Sequence, residues 1–482
     1  MGVTVALSLI SHTNAGKTTL ARTLLGRDVG DVRDEAHVTQ EAESWPLVDT
    51  PDGDALLLWD TPGFGDSARL AKRLAQQGNP IGWFLTQVWD RFRDRTFWLT
   101  QKAVVNVRDE ADVVLYLVNA AEEPGDAGYL APELAVLEWI GKPVIVLLNQ
   151  IGPPRPHEAE AADVARWRQA LGHRGFVHAV LALDAFARCW VQEIELLRIV
   201  GASLRDEKRD GYARLVAAWQ ARRQAQFEQS MAAIAAPIAA AAVDREAVPD
   251  AGLKGTLRDL GRSIGIARDE GADLKARAAE ALAKRLNARI IDSTDRLIAI
   301  HELTGHASED VRARLAHQVS LDAPVSEGKA AMMGGVVSGA LSGLAADLAA
   351  GGFTFGAGML AGAVLGALGG AGLARGVNLA KGKSGASVRW DDAFLDGLVR
   401  SALLRYLAVA HYGRGRGDWA ESEYPPHWPP EVERVVDAHR VELAHVWSMR
   451  SDAADEAALA AALGPVLTSM ARQLLDDLYP SS

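Results

Sequence analysis

An α/β domain with a mostly parallel sheet between helices, followed by a mainly α-helical domain carrying a Gly-rich helical hairpin, is the fold class predicted for this chain of 482 residues. Three observations predict it. A buried-type strand leads through a short loop containing Gly16-Lys17-Thr18 into a helical pattern. A second apolar strand ends in Asp60-Thr61-Pro62-Gly63. Beyond about Arg205 the strand signals fade and apolar residues recur at helical spacing. At roughly 100–200 residues per domain the length fits two domains or more, with ample core. The domains expected are 1–205 and an all-α domain over 206–482.

Composition narrows the classes. With 49% apolar and 23% charged residues, wholesale disorder is excluded. The balance of 51 basic against 62 acidic residues, net −11, argues against nonspecific nucleic-acid binding, so no nucleic-acid partner is expected. Cys189 is the only cysteine, so no intrachain disulfide can form, and a reducing compartment is expected. Met1 leads directly into a strand, with no secretory signal pattern. A cytoplasmic protein is expected.

Val3, Val5, Leu7 and Leu9 alternate with smaller residues up to Ile10, as in a strand inside a sheet. Ser11 to Thr18 forms the loop, and Thr19 to Leu25 follows at helical spacing. Strand, tight loop and helix make a phosphate-binding loop, in which backbone N–H groups and the helix N-terminus face a polyphosphate. Lys17 would reach the β- and γ-phosphates, and the Thr18 hydroxyl would ligate Mg²⁺. Ser11, Asn14, Ala15, Gly16, Lys17, Thr18 and Thr19 are the candidate nucleotide-binding residues here. Ser11 stands where the usual pattern opens with glycine, so its backbone must avoid positive φ.

Leu56-Leu57-Leu58-Trp59 reads as a second buried strand. Asp60 at its end can hold Mg²⁺ through water, and Gly63 can bring its backbone N–H to the γ-phosphate. Between the two motifs a strand is expected from Glu41 to Val48. Thr39 is the candidate switch threonine closing on Mg²⁺, with Thr50 as its competitor.

These residues resemble the translation-factor-related P-loop GTPases, in particular the Era- and septin-like branch. Thr13-Asn14-Ala15-Gly16-Lys17-Thr18-Thr19-Leu20 looks like that branch's phosphate loop, and Asp60-Thr61-Pro62-Gly63 like its switch II start. The resemblance covers about residues 1–205; the remainder is similar to bacterial GTPases with an uncharacterised helical C-terminal domain. It implies GTP and GDP as ligands. The base motif departs from the family. After the strand Val144 to Leu148, where Asn-Lys-x-Asp belongs, stands Asn149-Gln150-Ile151-Gly152. Asn149 can still hydrogen-bond the base, but Gln150 loses the lysine stem over the ring. Gly152 removes the carboxylate that accepts from guanine, and with it the strongest means of rejecting another base. Asp184, after the strand Phe176 to Leu183, either supplies a carboxylate there or caps the next helix.

Phe64 occupies the position at which some relatives carry a glutamine that orients the attacking water. A phenyl ring cannot do so, and slow intrinsic hydrolysis follows. Asn14 matches the asparagine that supports K⁺ in potassium-activated members; alternatively it only stabilises the loop.

A helical insertion is expected at about 66–111, with Trp83, Phe84, Trp89, Phe92, Phe97 and Trp98 interleaved with arginines. These aromatics either pack the helix onto its own domain or face a partner. In the second half, Tyr212, Leu215, Val216, Trp219, Phe227 and Met231 mark one helix, and Leu274, Ala278, Leu282, Leu286 and Ile290 another. Pro249 to Gly252 reads as a break and Gly413 to Pro430 as a loop. His301, His306, His317 and His411 show no metal-ligand spacing.

From Ala330 to Ala374 the sole charge is Asp347, and Gly335, Gly339, Gly343 and then Gly358, Gly362, Gly366, Gly370 recur every fourth residue. On a helix that spacing leaves a side-chain-free groove for a second helix. A hairpin over about 328–376 would have arms of about 18 residues, reaching roughly 27 Å against a ~30 Å hydrocarbon core. Contact with a membrane or membrane protein through 330–374 is expected, hence a cytoplasmic protein associated with the membrane; a tightly packed soluble hairpin is the alternative. The function expected is a GTP-binding switch that slowly hydrolyses GTP with Mg²⁺. The alternatives are a non-hydrolysing interaction protein and a dynamin-like membrane-remodelling NTPase. If Asn14 supports a cation, phosphate release runs faster in K⁺ than in Na⁺ at matched ionic strength; equal rates in the two salts remove that role.

Overall fold

A computed structural model describes residues 2–12, 15–27, 29, 43–61, 63–75, 94–151, 157–171, 174–185, 189–248, 270–303, 377–382, 385–412, 425–450 and 455–480. Thr13, Asn14, Thr39, Pro62, Trp83, Phe84, Trp89, Phe92, Gly152, Pro249 to Gly252, His306, His317 and the hairpin at 328–376 lie outside them. The chain divides into two compact units. One comprises Met1–Ala225 with Ala410–Asp418 and Leu478–Ser482, the other Gln226–Val409 with Trp419–Asp477.

The first unit is built on a six-stranded sheet. Its strands are β1 (Thr4–Ser11), β2 (Glu43–Asp49), β3 (Ala55–Asp60), β4 (Val113–Asn119), β5 (Val144–Asn149) and β6 (Val177–Ala182), in the order β2-β3-β1-β4-β5-β6. Only β2 runs antiparallel, as a hairpin partner of β3. Strands covered on both faces read as near-continuous apolar runs, which is why β1, β4 and β5 stood out in the sequence. The flanking helices are α1 (Lys17–Leu25), α2 (Ser67–Ala75), α3 (Arg95–Glu110), α4 (Leu130–Ile140), α5 (His157–Leu171) and α6 (Trp190–Ser203). One core layer gathers Leu7, Leu20, Leu58, Leu115 and Leu197. The other gathers Ile10, Phe64, Tyr116, Leu137 and Trp167.

Because β1 lies between β3 and β4, its C-terminal end meets both neighbours. Leu9 pairs with Asp60 and Ser11 with Leu117. The strand expected from Glu41 to Val48 is present over Glu43–Asp49, and residues 41 and 42 lie outside the described residues. Within the insertion, α2 and α3 are helices, and Phe97 is buried while Arg69 lies over its ring at 3.8 Å. Phe97 therefore packs inside its own domain.

Helix α7 (Asp206–Val243) spans the unit boundary, and its first half is anchored to the sheet of the first unit. Tyr212, Leu215 and Trp219 sink into the core layer beneath β1. A Cβ at Gly211 would come within 2.5 Å of the Val3 side chain, so the helix approaches the strand as only glycine permits. Two ion pairs fix the contact. Arg214 donates to both oxygens of Asp54, at 2.7 and 2.9 Å, and Asp54 also accepts from Val3 N at 2.8 Å. Lys208 Nζ lies 2.7 Å from Asp112, which accepts from Ala6 N at 2.9 Å.

In the second unit, α7 continues through Phe227 and Met231, both buried. With it stand α8 (Glu270–Ile300), α9 (Asp392–Ala410), α10 (Trp428–Ala438), α11 (Arg440–Ser448) and α12 (Glu456–Leu478). Two readings need correction here. The unit also holds a small antiparallel sheet, β7 (Glu246–Val248), β8 (Val377–Gly382) and β9 (Gly385–Trp390), in the order β7-β9-β8. The proline-rich run does not stay a loop to its end: Pro429 and Pro430 open α10, where a missing N–H costs no hydrogen bond. His301 bonds Ser230 at 3.1 Å, while in the first unit buried His411 stacks on Tyr479. Among the described residues one helix, α12, is long and apolar enough to cross a membrane. Its Leu459, Leu463, Leu467 and Met470 form a buried stripe at helical spacing, as in a core helix.

Arg214, with help from the Val3 amide, holds the Asp54 carboxyl at about 2, below the usual range. Its stabilisation is complete above the unfolded value of about 3.9 and is lost as pH falls through the folded one. Asp54→Asn is therefore expected to lower the Tm at pH 7. Thermal melts followed by circular dichroism should show the gap to wild type closing between about pH 4 and pH 2.

Candidate functional site

Strand β1 delivers Ser11 to the edge of the sheet, and the chain turns into α1 through Gly16. Gly16 has φ +87°, and a Cβ there would sit 2.7 Å from Asn149 Nδ2, so both conformation and space demand glycine. No side chain caps the N-terminus of α1 and its first turn holds no acid. The helix thus begins as a place for an anion.

Lys17 is buried at this point and donates from Nζ to Ser11 Oγ at 3.2 Å. Burial lowers its pKa, while Asp60 and Glu133 act against that fall. Thr18 Oγ1 donates to Asp60 Oδ2 at 2.5 Å, joining the phosphate loop to the end of β3. Burial raises the Asp60 pKa, opposed by Lys17 and by the Thr18 bond. Asp60 Oδ1 is buried without a hydrogen-bond partner among the described residues. Such an atom demands an explanation. A hydroxyl and a carboxylate with one unfilled oxygen form a hard donor pair that fits Mg²⁺. Thr61 donates to Leu9 O at 2.5 Å and Phe64 N to Ser11 O at 3.1 Å, so the segment after β3 is hung from β1. Phe64 itself is buried, its ring tilted against Tyr116 at 6.4 Å. The motif residues Ser11, Ala15, Gly16, Lys17, Thr18, Thr19, Asp60 and Gly63 thus gather at the ends of β1 and β3.

On the base side one reading changes, that of Asp184. Asn149 is fully buried, donating from Nδ2 to Ala15 O at 2.7 Å and accepting from Ala185 N at 2.8 Å. Its amide ties the phosphate loop to the segment after β6. Asp184 accepts from Ile151 N at 2.6 Å, and the N-cap of α6 is Cys189, so Asp184 does not cap that helix. Gln150 takes a left-handed backbone, φ 58°, uncommon for a non-glycine residue.

Four residues escaped the sequence reading. Glu133 on α4 is wholly buried; His12 Nδ1 lies 2.7 Å from its Oε1, and Tyr116 OH donates to its Oε2 at 2.7 Å. His12 stacks on Tyr129 with centroids 4.5 Å apart. The bond to Glu133 raises the His12 pKa. Burial raises that of Glu133, against the bonds from His12 and Tyr116. An acid inside the apolar run Leu130 to Ile140 was the available signal, but its partners are remote in sequence.

Sheet order, phosphate loop and the Thr18–Asp60 pair together define a P-loop GTPase fold. In agreement, the family model described as a 50S ribosome-binding GTPase matches residues 6–150. A second family model, a domain of unknown function, DUF3482, matches residues 168–462, and the chain belongs to that family. No curated protein matches the chain. Solved structures similar to it include an Aquifex aeolicus Era variant bound to GDP·AlF4⁻, 17% identical, covering 42% of this chain and 58% of that one, with a TM-score of 0.31. Era in complex with MgGDPNP and a 16S ribosomal RNA fragment is also 17% identical, covering 43% and 58%, with a TM-score of 0.32. An S. thermophilus NFeoB variant bound to GMPPNP is 18% identical, covering 48% and 72%, with a TM-score of 0.24. The chain spans 58% of the length of each Era chain.

Asn149→Ala leaves the Ala15 carbonyl and the Ala185 amide without their partner. Each unsatisfied buried group costs about 1–3 kcal/mol. Urea denaturation is expected to show a loss of roughly 2–5 kcal/mol, with an unchanged m-value.

Proposed function

We propose that this chain is a GTP-binding switch protein that hydrolyses GTP slowly to GDP with Mg²⁺ and couples nucleotide state to its helical domain. The observation that carries the reading is the bond from Thr18 to the buried Asp60, whose Oδ1 has no hydrogen-bond partner among the described residues, beside Lys17 at the uncapped start of α1. Thr18 and Asp60 would hold the metal, which when bound neutralises charge across the β- and γ-phosphates. Lys17 leaves Ser11 Oγ to donate to the phosphates, and the backbone amides of the loop orient them. The Gly63 amide would sense the γ-phosphate, a reading supported by the bond from the next amide, Phe64 N, to Ser11 O.

Slow turnover follows from Phe64, whose ring is packed against Tyr116 and cannot orient water. Ordering of Thr39 and of the segment after Gly63 would distinguish the triphosphate state. Helix α7 is the proposed conductor to the helical domain, since Asp54, at the foot of the β2–β3 hairpin, grips it through Arg214. The Gly-rich stretch 330–374 is proposed as the membrane-contacting element, on its composition. GTP over ATP rests on the family; Gly152 leaves the usual base carboxylate missing.

Titration with fluorescent GDP, GTP and ATP is expected to give tight binding of the guanine nucleotides by wild type. Lys17→Ala should weaken it about 10- to 150-fold, the worth of hydrogen bonds to a charged group. Asp60→Asn should leave GDP binding measurable while abolishing its Mg²⁺ dependence and turnover. Binding without turnover by wild type, in either K⁺ or Na⁺, would convert the reading to an interaction protein; no binding at all would end it.

A further inference from the structure

We propose that Glu133 is a positioning residue of the nucleotide site, holding the start of the phosphate loop in place through His12. The inference rests on the GTPase reading and deepens it. Glu133 has no exposed surface, and both its oxygens are engaged, one by His12 Nδ1 and one by Tyr116 OH, each at 2.7 Å. Tyr116 is itself completely buried in the middle of β4. The carboxylate therefore has a rigid strand on one side and the second residue of the phosphate loop on the other. Tyr129 closes the arrangement, stacking on His12 at 17° between planes and donating to Glu122 at 2.9 Å.

A purely structural reading of this acid is expensive. A buried carboxylate carries a heavy desolvation cost, and apolar residues of similar volume often serve a core as well or better. Glu133 lies in the core-facing stripe of α4 beside Leu130, Leu134 and Leu137, where leucine would pack. What a leucine cannot do is grip His12. Phosphate cradles work by being shaped before the anion arrives, so a tether at the loop's start acts on affinity and turnover more than on folding. Asn149 holds the loop's other half at Ala15, and Glu133 holds its beginning.

The test compares wild type, Lys17→Ala, Glu133→Gln, His12→Ala and the double variant Glu133→Gln/His12→Ala. Readouts are fluorescent GDP and GTP affinity and release, kcat and KM, and Tm without nucleotide. Glu133→Gln keeps the shape and removes the charge. Release is expected to quicken about tenfold or more, the worth of a charge-assisted bond, with KM rising more than kcat falls. The Tm should hold or rise. The effects of Glu133→Gln and His12→Ala on affinity should be non-additive, the double variant resembling either single one. Affinity within twofold of wild type, additive effects, or a Tm loss matching the affinity loss in Glu133→Gln would overturn the positioning role. If wild type binds and Lys17→Ala does not, such a result leaves the GTPase reading standing. No binding by wild type overturns both.

Discussion

The site depends on one pairing in the sheet. β1 and β3 run parallel with Leu9 beside Asp60, so a carboxylate distant in sequence arrives where the phosphate loop begins. Had the register slipped by one residue, Asp60 would face the other side of the sheet, and the Thr18 bond could not form. The pairing is secured from both strands. Thr61 and Phe64 bond back to Leu9 and Ser11, and the apolar residues Leu7 and Leu58 lock the same two strands into one core layer.

That register was legible only in part. The strands of the first unit announce themselves because parallel strands buried on both faces are nearly all Val, Ile and Leu. Gly16, Lys17, Thr18 and Asp60 announce themselves because their chemistry restricts residue type tightly. Asn149 was visible as a residue, but its bracing of the phosphate loop was not. A side-chain amide carries no mark in sequence of the two backbone groups it ties together here. Glu133 was not visible at all, since its meaning comes from His12 and Tyr116, which only the fold brings near. The small sheet was missed for a similar reason. β7 has three residues, and its partner β9 lies far along the chain, so no local alternation marks the pair.

The two ends of β1 illustrate different ways of handling charge. At its start, Asp54 and Asp112 each accept from a β1-side amide and from a cation on α7, so the charges are paired. Arg214 remains about half exposed, which limits the cost of burying its partner. At its end, Lys17 and Asp60 are buried, and Asp60 Oδ1 has no hydrogen-bond partner among the described residues. The first arrangement anchors a helix; the second leaves a buried oxygen that demands an explanation.

Burial pushes Lys17 toward its neutral form and Asp60 toward its protonated one. Both displacements oppose folding, because each group is more comfortable in the unfolded chain. An anion between Lys17 and the start of α1, with a cation at the unfilled Asp60 oxygen, relieves both at once. A ligand that removes such a penalty stabilises the fold as it binds. In the proposed switch, this cluster is what would let the nucleotide-bound protein differ from the free one, a difference that a wholly apolar strand end could not provide.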